Sequence, residues 1–167
     1  ASSIFHMVIP IHKGDWKKLP GEEKIMAEIR AQGVAPGQYM FPMCASMKDM
    51  SSPEMVEKMK IGPVGHTTIL PKGGINMGRS LIFWFLYCIL IGVIIALAVT
   101  PALSRGVAFK SVFHLTGLAA LLGYALIPIP ESIWKGQPWG ITAKFLFDGA
   151  VYAILTGATF AWLWPAA

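Results

Sequence analysis

Three long apolar runs occupy the second half of the chain. The first, SLIFWFLYCILIGVIIALAVT (Ser80 to Thr100), contains no charged residue, with Arg79 before it and Pro101 after it. The second runs roughly from Val107 to Pro128 and the third from Ala143 to Trp164. Each holds about the 20 apolar residues that a spanning helix needs. They are too long and too unbroken for strands, which alternate with period two. The remaining polar surface is too small to cover three such helices in water. The pattern predicts an all-α membrane fold: a helical transmembrane bundle with a mostly irregular, short-helix polar segment before it.

The polar stretch has its own punctuation. Pro20 to Gln32 reads as a short helix, with Glu22 and Glu23 in its first turn, Gly33 after its end, and Ile25, Met26 and Ile29 on one face. Ser52, Pro53 and Glu54 open a second helix that stops before IGPVG. QYMF and HTTIL are expected as an antiparallel ribbon. The opening ASSIFHMVIP reads as the end of a further membrane helix whose start precedes the chain. PIPESIWKGQPWG, which joins the last two spans, is too rich in proline and glycine for a long helix. The expected organisation is residues 1–12 as the end of a first span, 13–78 as the polar segment, and 79–165 as a three-helix membrane region.

Composition follows this division. The 167 residues are 54% hydrophobic and 14% charged, against roughly 25% charged in soluble domains. Positions 11–80 carry ten of the fourteen Lys and Arg and seven of the nine acids. The net charge of +5 does not indicate nucleic acid, because the basic residues are interleaved with acids and form no dense cluster. The expected partners are the lipid bilayer and other membrane-protein subunits. The basic excess orients the chain instead. Residues 11–80, Lys135 and Lys144 share one side and place twelve basic residues there; Arg105 and Lys110 belong to the other. Cytoplasmic loops carry such an excess. The expected location is a bacterial inner membrane, with residues 13–78 cytoplasmic and the C-terminus outside. Trp84, Trp134, Trp139, Trp162 and Trp164 fall near the span ends, where an apolar ring with an N–H donor is favoured.

Candidate chemistry is sparse. MFPMCASMKDMSSPEMVEKM holds six of the nine methionines. Met40, Met43, Cys44, Met47 and Met50 have soft-ligand chemistry suited to Cu(I), but their spacing does not converge on a point. Met55, Val56 and Met59 instead lie on one side of a helix whose other faces are charged, so they are expected at an apolar contact with a partner. No metal site and no cofactor is expected. His114 and Asp148 are the two intramembrane polar candidates, since ionisable groups at membrane depth are costly. Asp148 is expected to pair with Lys144 or Tyr124, and His114 with a hydroxyl such as Thr156 or Thr159. Small residues recur at intervals of four: Gly149, Ala153, Gly157 and Ala161 in the last span, and Cys88, Gly92, Ala96 and Thr100 in the first. Ala119 and Gly123 add a pair in the middle span. Such spacing lets helix backbones approach closely. KGGINMGRS lacks the ending of a phosphate loop, and no HExxH, CxxC or GxSxG motif occurs. No enzyme is expected.

SIWKGQPWGITAKFLFDGAVYAILTGATFAWLWP resembles the end of small, uncharacterised bacterial four-span membrane proteins of unknown function. The resemblance rests on FDGAVYAI opening the last span and on the Trp-rich close. It implies four spans, the first of them begun before this chain starts, and carries over no known activity. The expected function is a structural, accessory subunit packed against a larger membrane complex. The alternatives are a transporter or proton-conducting component using His114 and Asp148, and a haem- or pigment-binding subunit.

Overall fold

The computed structural model describes Ser2, His6 and Val8–Ala167. The expected first span falls largely on residues outside that description. The chain divides into two units, residues 18–75 and residues 1–17 with 76–167.

The polar unit contains α1 (Glu22–Ala31), β1 (Gly37–Phe41), α2 (Pro53–Ile61) and β2 (Gly65–Ile69). α1 opens with Glu22 and Glu23 against the positive end of its dipole and closes with Arg30. Gly33 follows at φ 62°, a left-handed position that favours glycine. α2 is capped by Ser52 Oγ, which accepts from the Met55 amide at 3.2 Å, and Pro53 takes a position that has no helical partner for an N–H. β1 and β2 form the antiparallel ribbon, in register from Gly37 opposite Ile69 to Phe41 opposite Gly65. The Phe41 ring covers Gly65 so closely that a Cβ there would come within 3.3 Å of it. Among the described residues no side chain of this unit is fully buried. Met55 and Met59 are half-buried, Val56 is exposed, and Met43 and Met47 stand 71% and 81% exposed.

The second unit contains α3 (Met77–Val99), α4 (Phe109–Tyr124), α5 (Pro128–Lys135) and α6 (Trp139–Leu163). Among the described residues, three helical stretches are long and apolar enough to cross a membrane by length and composition: Met77–Val99, Phe109–Lys135 and Trp139–Leu163. Their ends differ from the sequence expectation for local reasons. α3 starts three residues early because Asn76 Oδ1 accepts from the Arg79 amide at 3.0 Å. The middle span breaks after Tyr124, since Pro128 lacks the amide that would bond back one turn. The prolines there do not prevent a helix, however. Pro128 and Pro130 lie in the first turn of α5, where amides are unpartnered in any helix. α6 begins four residues before Ala143. Its 25 residues extend about 37 Å, longer than the ~30 Å hydrocarbon core.

Glycine determines how closely α4 and α6 pack. A Cβ on Gly157 would sit 3.0 Å from Gly117 Cα and from Phe113 O. One on Gly149 would sit 2.5 Å from Ala125 Cα, just beyond the end of α4. Gly149, Ala153, Gly157 and Ala161 are all buried. On α4 the residue opposite Gly157 is Gly117. Ala119 packs beside the core of Ile95, Val99, Ala120 and Ala153. Gly123 receives Ile91 of α3, whose Cδ1 would stand 2.9 Å from an added Cβ, and its carbonyl accepts from the Tyr87 hydroxyl at 2.7 Å. α3 therefore docks through Ile91, Ile95 and Val99, not through the small-residue stripe. A Cβ at Gly92 would meet nothing within 4 Å, Cys88 and Ala96 are half-buried, and Thr100 is exposed. Branched side chains, Ile95 and Val99 with Ile91 beside them, form the buried contact of α3.

The two ends of the bundle are tied differently. At one end the Trp164 indole donates to Ser104 O at 3.1 Å, and the Gly106 amide donates to Pro165 O at 3.0 Å. At the other, α5 is joined to the start of α6 by Ser132 Oγ and Thr142 Oγ1 at 2.5 Å, with Gln137 Nε2 donating to the same Thr142 oxygen at 2.8 Å.

Candidate functional site

His12 and Asp15 are brought to the site by a 3-10 turn, Pro10–His12. Pro10 fixes its own φ and starts the turn. The Lys13 amide donates to Pro10 O and the Asp15 amide to His12 O. This coiling places His12 and Asp15 on one side, and His12 Nδ1 meets Asp15 Oδ2 at 2.6 Å. On α6, Lys144 and Asp148 are four residues apart and share a face. The two pairs interlock. Lys144 Nζ donates to Asp15 Oδ1 at 2.5 Å, and His12 Nε2 lies 2.9 Å from Asp148 Oδ2.

The result is a continuous chain of charge, Lys144–Asp15–His12–Asp148, whose side chains are 33%, 7%, 11% and 2% exposed. Burial works against a charged His12, and the carboxylates of Asp15 and Asp148 on its two ring nitrogens offset that cost. Burial likewise opposes a charged Asp15, but Lys144 and His12 hold it below the usual carboxylate range. With His12 protonated the four groups sum to zero charge, which is how a buried ionic cluster avoids a large desolvation penalty.

His6 completes the cluster. Its Nε2 lies 3.4 Å from Asp148 Oδ2, and its ring stacks on His12 with centroids 4.3 Å apart and planes at 27°. Phe145 flanks His12 at 5.1 Å. Asp148 Oδ1 is buried and finds no hydrogen-bond partner among the described residues. Asp148 and His6 also face a cavity of about 770 Å³ between α3 and α6, largely apolar, with Trp84, Tyr87, Tyr124 and Tyr152 in its wall. Those four rings form a closed circuit with centroids 5.5–6.3 Å apart.

Of the two intramembrane candidates, only Asp148 belongs to this site. His114 is exposed on α4 beside the Phe113 ring at 5.9 Å, and the structure does not bring it to Asp148. Lys144 is not the partner of Asp148, because Asp15 takes it. His6, His12 and Asp15 escape a reading by spans because they sit where the expected first span ends and the polar segment begins. Their signal is local: an acid three residues after a histidine, flanked by Pro10 and Gly14, which complements a Lys and Asp four apart in the last span. No protein-family model, curated protein or solved structure matches the chain.

Proposed function

We propose that the chain is a small integral membrane protein, without catalytic activity, that serves as an accessory subunit of a larger membrane assembly. The observation that carries this reading is the difference between its glycines. Gly117, Gly149 and Gly157 are used up in the contact of α4 with α6, whereas Gly92 on α3 faces open space. Glycine in a spanning helix lacks side-chain packing and is favoured where a backbone comes close. The proposed occupant of the Gly92 face is a transmembrane helix of another subunit. The same reading places the protein in a bacterial inner membrane with residues 13–78 in the cytoplasm, supported by the excess of Lys and Arg on that side.

The test is extraction in a mild detergent, followed by size measurement of wild type and Gly92→Leu. Wild type is expected in a particle that contains another membrane subunit and exceeds the 18.1 kDa of the chain. Gly92→Leu is expected to release a folded single chain, because a Cβ added at this position meets nothing within 4 Å in its own bundle. A photo-crosslinker at position 92 that captures only lipid, or a wild type that is monomeric in every mild detergent, would overturn the proposal.

A further inference from the structure

We infer that His6, His12 and Asp148 form a binding site for one divalent first-row transition ion, Zn²⁺ or a close chemical analogue. Two imidazoles and a carboxylate each offer one ligand atom, and the three atoms lie within 4.8 Å of one another. Bonds of about 2.0–2.1 Å to nitrogen and oxygen give a tetrahedral site edges of about 3.4 Å. The His12–Asp148 and His6–Asp148 separations, 2.9 and 3.4 Å, already match such edges to within about half an ångström.

Two further features go beyond ligand count. The first is Asp15. A metal-ligating histidine usually passes its other ring N–H to a carboxylate, which fixes the tautomer and aims the lone pair at the ion. His12 Nδ1 meets Asp15 Oδ2 at 2.6 Å, and Asp15 is anchored in turn by Lys144. His12 Nε2 is thereby aimed at Asp148. The second is the buried Asp148 Oδ1, without a hydrogen-bond partner among the described residues. A carboxylate that served only as the partner of His12 would leave that oxygen desolvated at a cost. A bound ion can take it as a second carboxylate contact.

The donor set selects the metal class. Imidazole suits Zn²⁺, Co²⁺, Ni²⁺ and Cu²⁺, whereas Mg²⁺ and Ca²⁺ require oxygen ligands. No thiolate belongs to the cluster, so a Cu(I) site is not favoured. Three protein ligands leave at least one coordination position, which water can fill from the cavity side. In the metal-free arrangement a proton on His12 Nε2 occupies the line to Asp148. The ion replaces that proton, which leaves to solvent as the metal–nitrogen bond forms. The His6 ring must also turn out of its stack on His12, because two nearly parallel imidazoles do not aim their lone pairs at one point. Its side chain is 38% exposed.

The test uses the full chain in mild detergent, stripped with a chelator, then titrated with Co²⁺ followed by visible absorption and with Zn²⁺ followed by calorimetry. One ion per chain is expected, with Co²⁺ bands typical of low coordination and no comparable binding of Mg²⁺. His6→Gln, at an exposed position that leaves the bundle intact, is expected to weaken binding at least tenfold. Asp15→Asn is expected to weaken it by roughly 10–100-fold, because Asp15 orients a ligand. His114→Gln is expected to bind as wild type. If folded wild-type protein shows no saturable Co²⁺ or Zn²⁺ binding, the cluster is an ion-pair clamp only and the inference fails. It fails equally if folded His6→Gln retains wild-type affinity, or if Mg²⁺ binds as tightly as Zn²⁺.

Discussion

Gly149→Ala is the smallest change that probes the contact between α4 and α6. The new Cβ would stand 2.5 Å from Ala125 Cα, 2.7 Å from its Cβ and 2.8 Å from its nitrogen. Relaxed carbon contacts lie at about 3.5–4.0 Å, so one helix must retreat by about 1 Å. The obstacle is backbone and cannot rotate away. A retreat of that size opens the neighbouring contact at Gly157 and Gly117, where a gap of 0.5–1 Å forfeits about a quarter to a half of each dispersion contact. Overpacking costs about 1–3 kcal/mol, and the rigidity of both partners puts this site at the upper end. Alanine recovers up to about 1 kcal/mol of helix propensity. The net expectation is a loss of about 2 kcal/mol, close to a thirtyfold shift in the folding equilibrium. The assay is unfolding in mixed micelles with rising SDS, followed by helical circular dichroism and tryptophan fluorescence. Gly92→Ala is the matched control, with no contact within 4 Å of its added Cβ, and is expected to be neutral or slightly stabilising in the isolated chain. If Gly149→Ala equals wild type, or Gly92→Ala is as harmful, the helices are not in the arrangement described.

Other sites give independent tests. Asp148→Ala leaves His12 and Lys144 with too little negative charge at a buried position. It is expected to cost about 3 kcal/mol, the lower end for breaking a buried ion pair, read in the same SDS titration. Ser52→Ala removes the oxygen that accepts from the Met55 amide and is expected to cost about 1 kcal/mol of helix stability, read as faster amide exchange in α2. Thr142→Val leaves Ser132 and Gln137 without the hydroxyl that both hydrogen-bond. A loss of about 1–3 kcal/mol is expected for the unpaired buried hydroxyl. A membrane-impermeant maleimide is expected to label Cys44 in inside-out vesicles and to spare it in intact cells; labelling in intact cells would reverse the proposed orientation.

The elements that a local pattern can specify were legible before the fold was known. Ser80–Thr100 has no way to bury its backbone except as a helix, and Ser52-Pro53-Glu54 satisfies a helix start with its own atoms. QYMF and HTTIL also pair as expected. The departures arise where a neighbour decides. Asn76 extended α3 by capping it, which a search for apolar residues does not register. α3 carries a small-residue stripe and an Ile91–Ile95–Val99 edge, and both are plausible contact faces by spacing. The structure buries Ile95 and Val99 and leaves Gly92 without a neighbour within 4 Å of an added Cβ.

The candidate site lies at the far end of that scale. Its two halves are separated by 129–136 residues, and each half alone reads as an ordinary surface pair: an acid three residues after a histidine, a lysine and an aspartate one helical turn apart. What turns them into a site is that their spacings agree. The rise over four helical residues is about 6 Å, enough to set Lys144 and Asp148 opposite the two ends of the His12–Asp15 pair, so each charge meets its complement with no side chain left over except His6. That remainder carries the functional argument. A structural clamp is complete with four groups of zero net charge; it needs neither a second imidazole against the same carboxylate nor an aspartate oxygen buried without a donor among the described residues. His6 and Asp148 Oδ1 are the two features an ion-pair explanation leaves idle, and a bound metal uses both. Deleting His6 should therefore separate the two roles, leaving stability near wild type while metal affinity falls.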